Sequence, residues 1–144
     1  MEWLLQAVCS FIATLGIAAT FGGPRRSLVH IGLVGVAGWM TYYLLTLAEV
    51  DAVPASFAGA FAIAILAHGL ARWYKQPSTV FSVAGIIPLV PGGLAYEAMR
   101  AIVLNDYLES LQYAARAGIL AGAIVMGLVF AEMFIQLAAR SRLS

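Results

Sequence analysis

The stretch Ile86-Ile87-Pro88-Leu89-Val90-Pro91-Gly92-Gly93 interrupts an apolar run, about residues 79–104, that otherwise reads as one membrane-spanning helix. A helix in lipid must satisfy its own backbone hydrogen bonds. Pro88, Pro91, Gly92 and Gly93, all within six residues, prevent that here. Such a break is tolerated only where the exposed backbone is buried in protein or lines a polar cavity, and broken helices near the bilayer midplane are one way to build a transport site. Thr79 to Ile87 makes a half-helix of about 13 Å at ~1.5 Å per residue, so Pro88 is expected near mid-membrane. The restarted half-helix would aim its N-terminal amides inward, where they favour an anion such as a carboxylate. A plain proline kink against a neighbouring helix is the competing reading; two prolines with two glycines weigh against it.

The rest of the chain agrees with a membrane setting. Of 144 residues, 62% are hydrophobic and 10% are charged, whereas a soluble domain carries about 25% charged residues. The expected fold is therefore all-α and polytopic, a single integral membrane domain over residues 1–144. A net charge of +1 offers no nucleic-acid footprint. The single Cys9 cannot form an internal disulfide and reads as an apolar packing residue. Met1-Glu2-Trp3 has no basic region, and the apolar stretch after it is too long for a signal peptide, so it is kept as a helix.

A span needs about 20 apolar residues. Five segments qualify, at about 3–21, 28–47, 54–73, 79–104 and 113–138, the fourth broken at Pro88–Gly93. Arg25, Arg26, Arg72, Lys75, Arg140 and Arg142, six of the eight basic residues, fall on one side of such a bundle. Glu49, Asp51, Asp106 and Glu109 fall on the other, with Arg100 and Arg116. The positive-inside rule then puts the N-terminus outside and the C-terminus in the cytoplasm, which an odd number of spans requires. Gly32, Gly35 and Gly38 on the second span, and Ala114, Gly118 and Gly122 on the fifth, are expected as close-packing seams.

Candidate functional residues cluster after the break. Tyr96, Glu97 and Arg100 follow it directly, and Glu97 and Arg100 are three apart, on one helix face where they can pair. Charges inside an apolar segment are costly and usually face a cavity. Glu97 is therefore a substrate or proton site, with Arg100 as its partner or as a carboxylate ligand; a pair at the outer interface is the alternative. Glu132, alone among Val129, Phe130, Ala131, Met133 and Phe134, is a second proton-carrier candidate, unless it pairs with a basic residue such as Arg72 or Arg140. His30 and His68 read as interfacial residues. Metal-ligand spacing, a Ser-His-Asp set and a phosphate loop are all absent from the sequence, so neither catalytic residues, metal nor cofactor are expected and an enzyme is not indicated.

Arg72-Trp73-Tyr74, Phe81, Ala84-Gly85-Ile86-Ile87-Pro88-Leu89-Val90-Pro91-Gly92 and the downstream Tyr96 together resemble the threonine/serine exporter family, in its small-subunit or C-terminal-half form. The resemblance covers essentially the whole chain, with its sharpest part at about residues 72–100. It implies secondary export of threonine and serine, or of a dicarboxylate such as succinate, across the cytoplasmic (inner) membrane. It also implies a second five-span subunit, fused or separate. A homo-oligomer, a non-transporting scaffold subunit and a homo-oligomeric channel remain the other readings. The family pattern carries over to Pro88, Pro91, Gly92 and Tyr96 as substrate-site residues; Gly93, Glu97 and Arg100 join them as substrate-binding candidates from the residues themselves, as do Glu97 and Glu132 as candidates for coupling export to protons.

Overall fold

A computed structural model describes residues 1–142. In chain order it contains α1 (Glu2–Thr20), α2 (Leu28–Leu47), α3 (Ala52–Tyr74), α4 (Ser78–Ile86), a single 3-10 turn (Ile87–Leu89), α5 (Gly92–Val103) and α6 (Tyr107–Ser141). The protein is an all-α polytopic membrane protein. Helices α1, α2, α3 and α6 are each long and apolar enough to cross a bilayer. Helices α4 and α5, with the 3-10 turn, make the further broken element, bent by 52°.

Four sharp reversals separate these elements, and all four use the same hydrogen bond. Gly23 N donates to Ala18 O at 2.8 Å, Val50 N to Leu45 O at 3.0 Å, Gln76 N to Ala71 O at 3.0 Å and Asp106 N to Ala101 O at 2.9 Å. Each is the six-to-one bond of a helix ended by a left-handed residue. The left-handed residues are Gly22, Glu49, Lys75 and Asn105. α3 begins at Ala52, two residues before the expected start, because Pro54 sits in the first turn, where its missing N–H is no loss.

The second-span glycine seam is formed within the chain. Phe11 covers Gly32, Thr14 fills the notch at Gly35, and Ile63 lies on Gly38. Thr14 is fully buried, and its hydroxyl donates to Ser10 O at 2.7 Å. The fifth-span seam is different: a side chain at Gly118 or Gly122 would meet nothing within 4 Å. Gly127 makes the contact instead, its α-carbon face set against Phe57 O and Ala60 of α3. Phe130 packs edge-on against Phe57 at 5.9 Å, and Phe134 lies 6.4 Å from Phe61. Helices α3 and α6 therefore run parallel.

The fifth span is the largest departure from the expected boundaries. It starts at Tyr107 rather than 113, because Asp106 caps it by accepting from Glu109 N at 3.1 Å. Its 35 residues make a helix of about 52 Å, far longer than a ~30 Å hydrocarbon core. Gly127 lies twenty residues into α6 but meets α3 only about six residues from its start. Some 20 Å of α6 thus extends past the beginning of α3. Helix α5 covers that extension, and α6 is its main neighbour. Ser110 Oγ donates to Ala98 O at 2.8 Å and stitches the two together.

Candidate functional site

The break is built by backbone chemistry. Pro88 has no N–H to continue α4, so the chain tightens into a 3-10 turn and then extends at Val90 (φ −60°, ψ 130°). Pro91 (φ −75°, ψ 53°) centres a three-residue turn in which Gly92 N donates to Val90 O at 2.7 Å. Ala95 N then donates to Pro91 O at 3.2 Å and starts α5. Between them, the N–H groups of Gly93 and Leu94 have no acceptor among the described residues. Side chains at Gly92 or Gly93 would meet nothing within 4 Å, so this amide-bearing turn is open.

Leu89 fixes the turn in place. It is buried, 7% exposed, and its two methyl groups reach Gly38 of α2 and Gly59 of α3. Gly38 is at mid-length of α2, and Ser10, which borders the same turn, is at mid-length of α1. The interruption therefore lies halfway along the packed helices. Pro88 opens onto a recess of about 190 Å³ that it shares with Gln6, Cys9, Ser10, Ala13 and Trp39. Trp39 Nε1 donates to Gln6 Oε1 at 3.0 Å, which leaves the Gln6 amide nitrogen as an unused donor. Cys9 is exposed rather than packed. A larger recess of about 280 Å³ lies against Phe21, Pro24 and Val83, but its wall is almost wholly apolar.

The structure divides the sequence candidates. Pro88 lines the mid-helix recess; Pro91, Gly92 and Gly93 form the open turn beside it. Glu97 and Arg100 pair, with Arg100 Nη1 3.2 Å from Glu97 Oε2. The pair lies on the outer face of α5, the Arg100 side chain 59% and that of Glu97 40% exposed, with Tyr96 exposed nearby. The inner face of α5 is given to Ala98 and Ala101, which are buried. Glu132 is exposed on the second half of α6, away from both groups, and no ion pair joins it to Arg72 or Arg140 among the described residues. Among the described residues no three His, Cys, Asp or Glu side chains converge as a metal site.

Sequence reasoning missed Gln6, Ser10 and Trp39. One signal was present: Gln6, Ser10 and Thr14 recur every four residues and form a polar stripe along one face of the first span. Trp39 was the other, a tryptophan at mid-span instead of at an interface.

No solved structure matches the chain. The family model described as Threonine/Serine exporter, ThrE matches residues 6–134, which includes α1 from Gln6, the break and α6 as far as Phe134. That family is one of exporter-type transporters, in keeping with apolar helices that cross a membrane and a break halfway along them. The chain belongs to the threonine/serine exporter (ThrE) family.

Proposed function

We propose that this chain is a subunit of a secondary exporter that carries small amino acids such as threonine and serine, or dicarboxylates such as succinate, out across the cytoplasmic membrane. The observation that carries the reading is the open turn at Pro88–Gly93, halfway along the helices, whose Gly93 and Leu94 amides have no acceptor among the described residues. Uncapped amides at a helix start favour a carboxylate. The Gln6 amide nitrogen at the recess supplies a further donor that orients it. Glu97, with Arg100 beside it, and Glu132 are the carboxylates available to exchange protons with the transport cycle. Catalytic chemistry has no part in this reading.

A second subunit completes the site. Glu97, Arg100 and Tyr96 point outward from α5, and among the described residues α5 is the helix that covers the extension of α6. A partner packed there would enclose the charged pair and the turn together.

The test is efflux of labelled threonine and of labelled succinate from cells that express this chain alone or with a five-span partner. Efflux that needs both chains, of either label, is the expected result. Efflux from the chain alone would replace the partner by a homo-oligomer, and no efflux in any combination, with both proteins in the membrane, would overturn the exporter reading. Gly92→Leu and Gly93→Leu should each abolish substrate binding. Nothing lies within 4 Å of a β-carbon at either position, and retained folding of each variant in detergent is the control. Glu97→Gln should remove the pH dependence of efflux while the protein stays folded; an unchanged pH profile would clear Glu97 of that role.

A further inference from the structure

The opposite end of α4 carries a second polar cluster, apart from the break. His68, Arg72, Lys75, Gln76 and Ser78, with Ala71 at the back, line an open cleft of about 340 Å³ between the last turns of α3 and the start of α4. Every polar group on its wall can donate a hydrogen bond, and no carboxylate lines it. Neither Arg72 nor Lys75 is in an ion pair among the described residues. The fully buried Ser27 donates its hydroxyl to Gln76 Oε1 at 3.2 Å, so the acceptor end of that amide is taken and its NH₂ end remains to face a ligand. His68 Nδ1 is shut off from solvent and has no hydrogen-bond partner among the described residues.

The backbone adds to this. Lys75 takes the left-handed conformation (φ 52°) that ends α3 and turns the chain so that Lys75, Gln76 and Ser78 close round the cleft. Helix α4 starts there with no side-chain cap. Val80 N returns to Pro77 O at 3.2 Å, while the N–H groups of Ser78 and Thr79 have no acceptor among the described residues. A helix start beside an arginine and a lysine favours an oxyanion. Trp73, 83% exposed and adjacent to Arg72, is the side chain expected at the level of lipid headgroups.

We infer that this cleft is a binding site for a phosphate group, held by Arg72 and Lys75 and oriented by Gln76 and the first amides of α4. The phosphate of an anionic lipid headgroup and free phosphate share this chemistry. The site is independent of the transport reading, since it stands at the far end of α4 from the break.

Native mass spectrometry of the full chain, released from micelles with equal amounts of phosphatidylglycerol and phosphatidylcholine, tests it. Wild type should retain phosphatidylglycerol preferentially. The double variant Arg72→Gln/Lys75→Gln should lose about thirtyfold in that retention, the weight of two basic side chains at an anionic surface. Arg116→Gln, at the other end of the molecule, should retain as wild type does. Arg72→Lys/Lys75→Arg, which keeps both charges, should retain most of the preference and separates loss of the site from loss of the fold. Displacement of the lipid by millimolar inorganic phosphate would assign the site to free phosphate, and persistence of the lipid would assign it to the headgroup. Equal retention of both lipids by wild type with no phosphate bound, or full retention by the double variant, would overturn the site.

Discussion

At the residue scale, two runs of small residues that both read as seams do different things, and the difference lies in what faces them. Gly32, Gly35 and Gly38 were readable as a seam because three small residues in a row along one helix leave a groove. Ala114, Gly118 and Gly122, spaced by four, read the same way, yet among the described residues nothing lies within 4 Å of a β-carbon at Gly118 or Gly122, and only the tertiary fold reveals it. A β-carbon at Gly35 would strike Thr14, whose side chain is buried and tied to Ser10 O. Gly35→Ala should therefore cost about 2–3 kcal/mol by overpacking, while Gly118→Ala should change stability by less than about 0.5 kcal/mol. Unfolding of the detergent-solubilised protein by SDS titration compares them, and equal losses would refute the internal seam. Glu49 is left-handed (φ 61°) at the end of α2, where glycine avoids the clash of a β-carbon. That clash costs about 1–2 kcal/mol and is partly offset by the greater unfolded-chain entropy of glycine. Glu49→Gly should thus gain about 0.5–1 kcal/mol in the same titration; a loss would mean that the Glu49 side chain holds the turn in some other way.

At the element scale, the broken span was legible in kind and only partly in detail. Proline and glycine are backbone punctuation, so Pro88, Pro91, Gly92 and Gly93 announced an interruption without any knowledge of neighbours. The three-residue spacing likewise placed Glu97 and Arg100 on one face. Which way that face points was not legible, because it depends on the face of Ala98 and Ala101 being buried, with Ser110 of α6 bonded to Ala98 O. Leu89 was equally silent, one leucine among many, although it is the side chain that fixes the turn between Gly38 and Gly59. Truncating it should leave a cavity at the break. Leu89→Ala is expected to cost about 2–5 kcal/mol, since Leu89 is buried in a cluster with Val34, Ile63 and Ile124. It should also speed hydrogen exchange at the first amides of α5, read by mass spectrometry. If exchange at Gly93 to Tyr96 stays as slow as in wild type, Leu89 does not anchor the turn.

At the scale of the whole molecule, the four unbroken spans followed from hydropathy alone, since each is a run of apolar residues about as long as lipid is thick. The length of α6 did not. Its first turns carry Glu109, Gln112 and Arg116 and look like a loop by hydropathy, but Asp106 caps them into helix and α5 packs on them. Orientation rests on charge. Arg25, Arg26, Arg72, Lys75, Arg140 and Arg142 gather at one end of the bundle, and Glu49, Asp51, Asp106 and Glu109 at the other. Basic loops are retained on the cytoplasmic side during insertion, so the α1–α2 connection should be inside and the α2–α3 connection outside. The single native cysteine makes a direct test simple: Cys9→Ser gives a background without thiols. In it, Ala48→Cys marks the α2–α3 turn and Phe21→Cys the end of α1, both at exposed positions. A membrane-impermeant maleimide applied to intact cells should label Ala48→Cys and spare Phe21→Cys until the membrane is permeabilised. The reverse pattern would invert the molecule and put the phosphate cleft outside, facing the wrong leaflet for an inner-surface lipid. Labelling of both in intact cells would mean mixed insertion, and the two basic residues at the acidic end, Arg100 and Arg116, would then be enough to balance the six at the other.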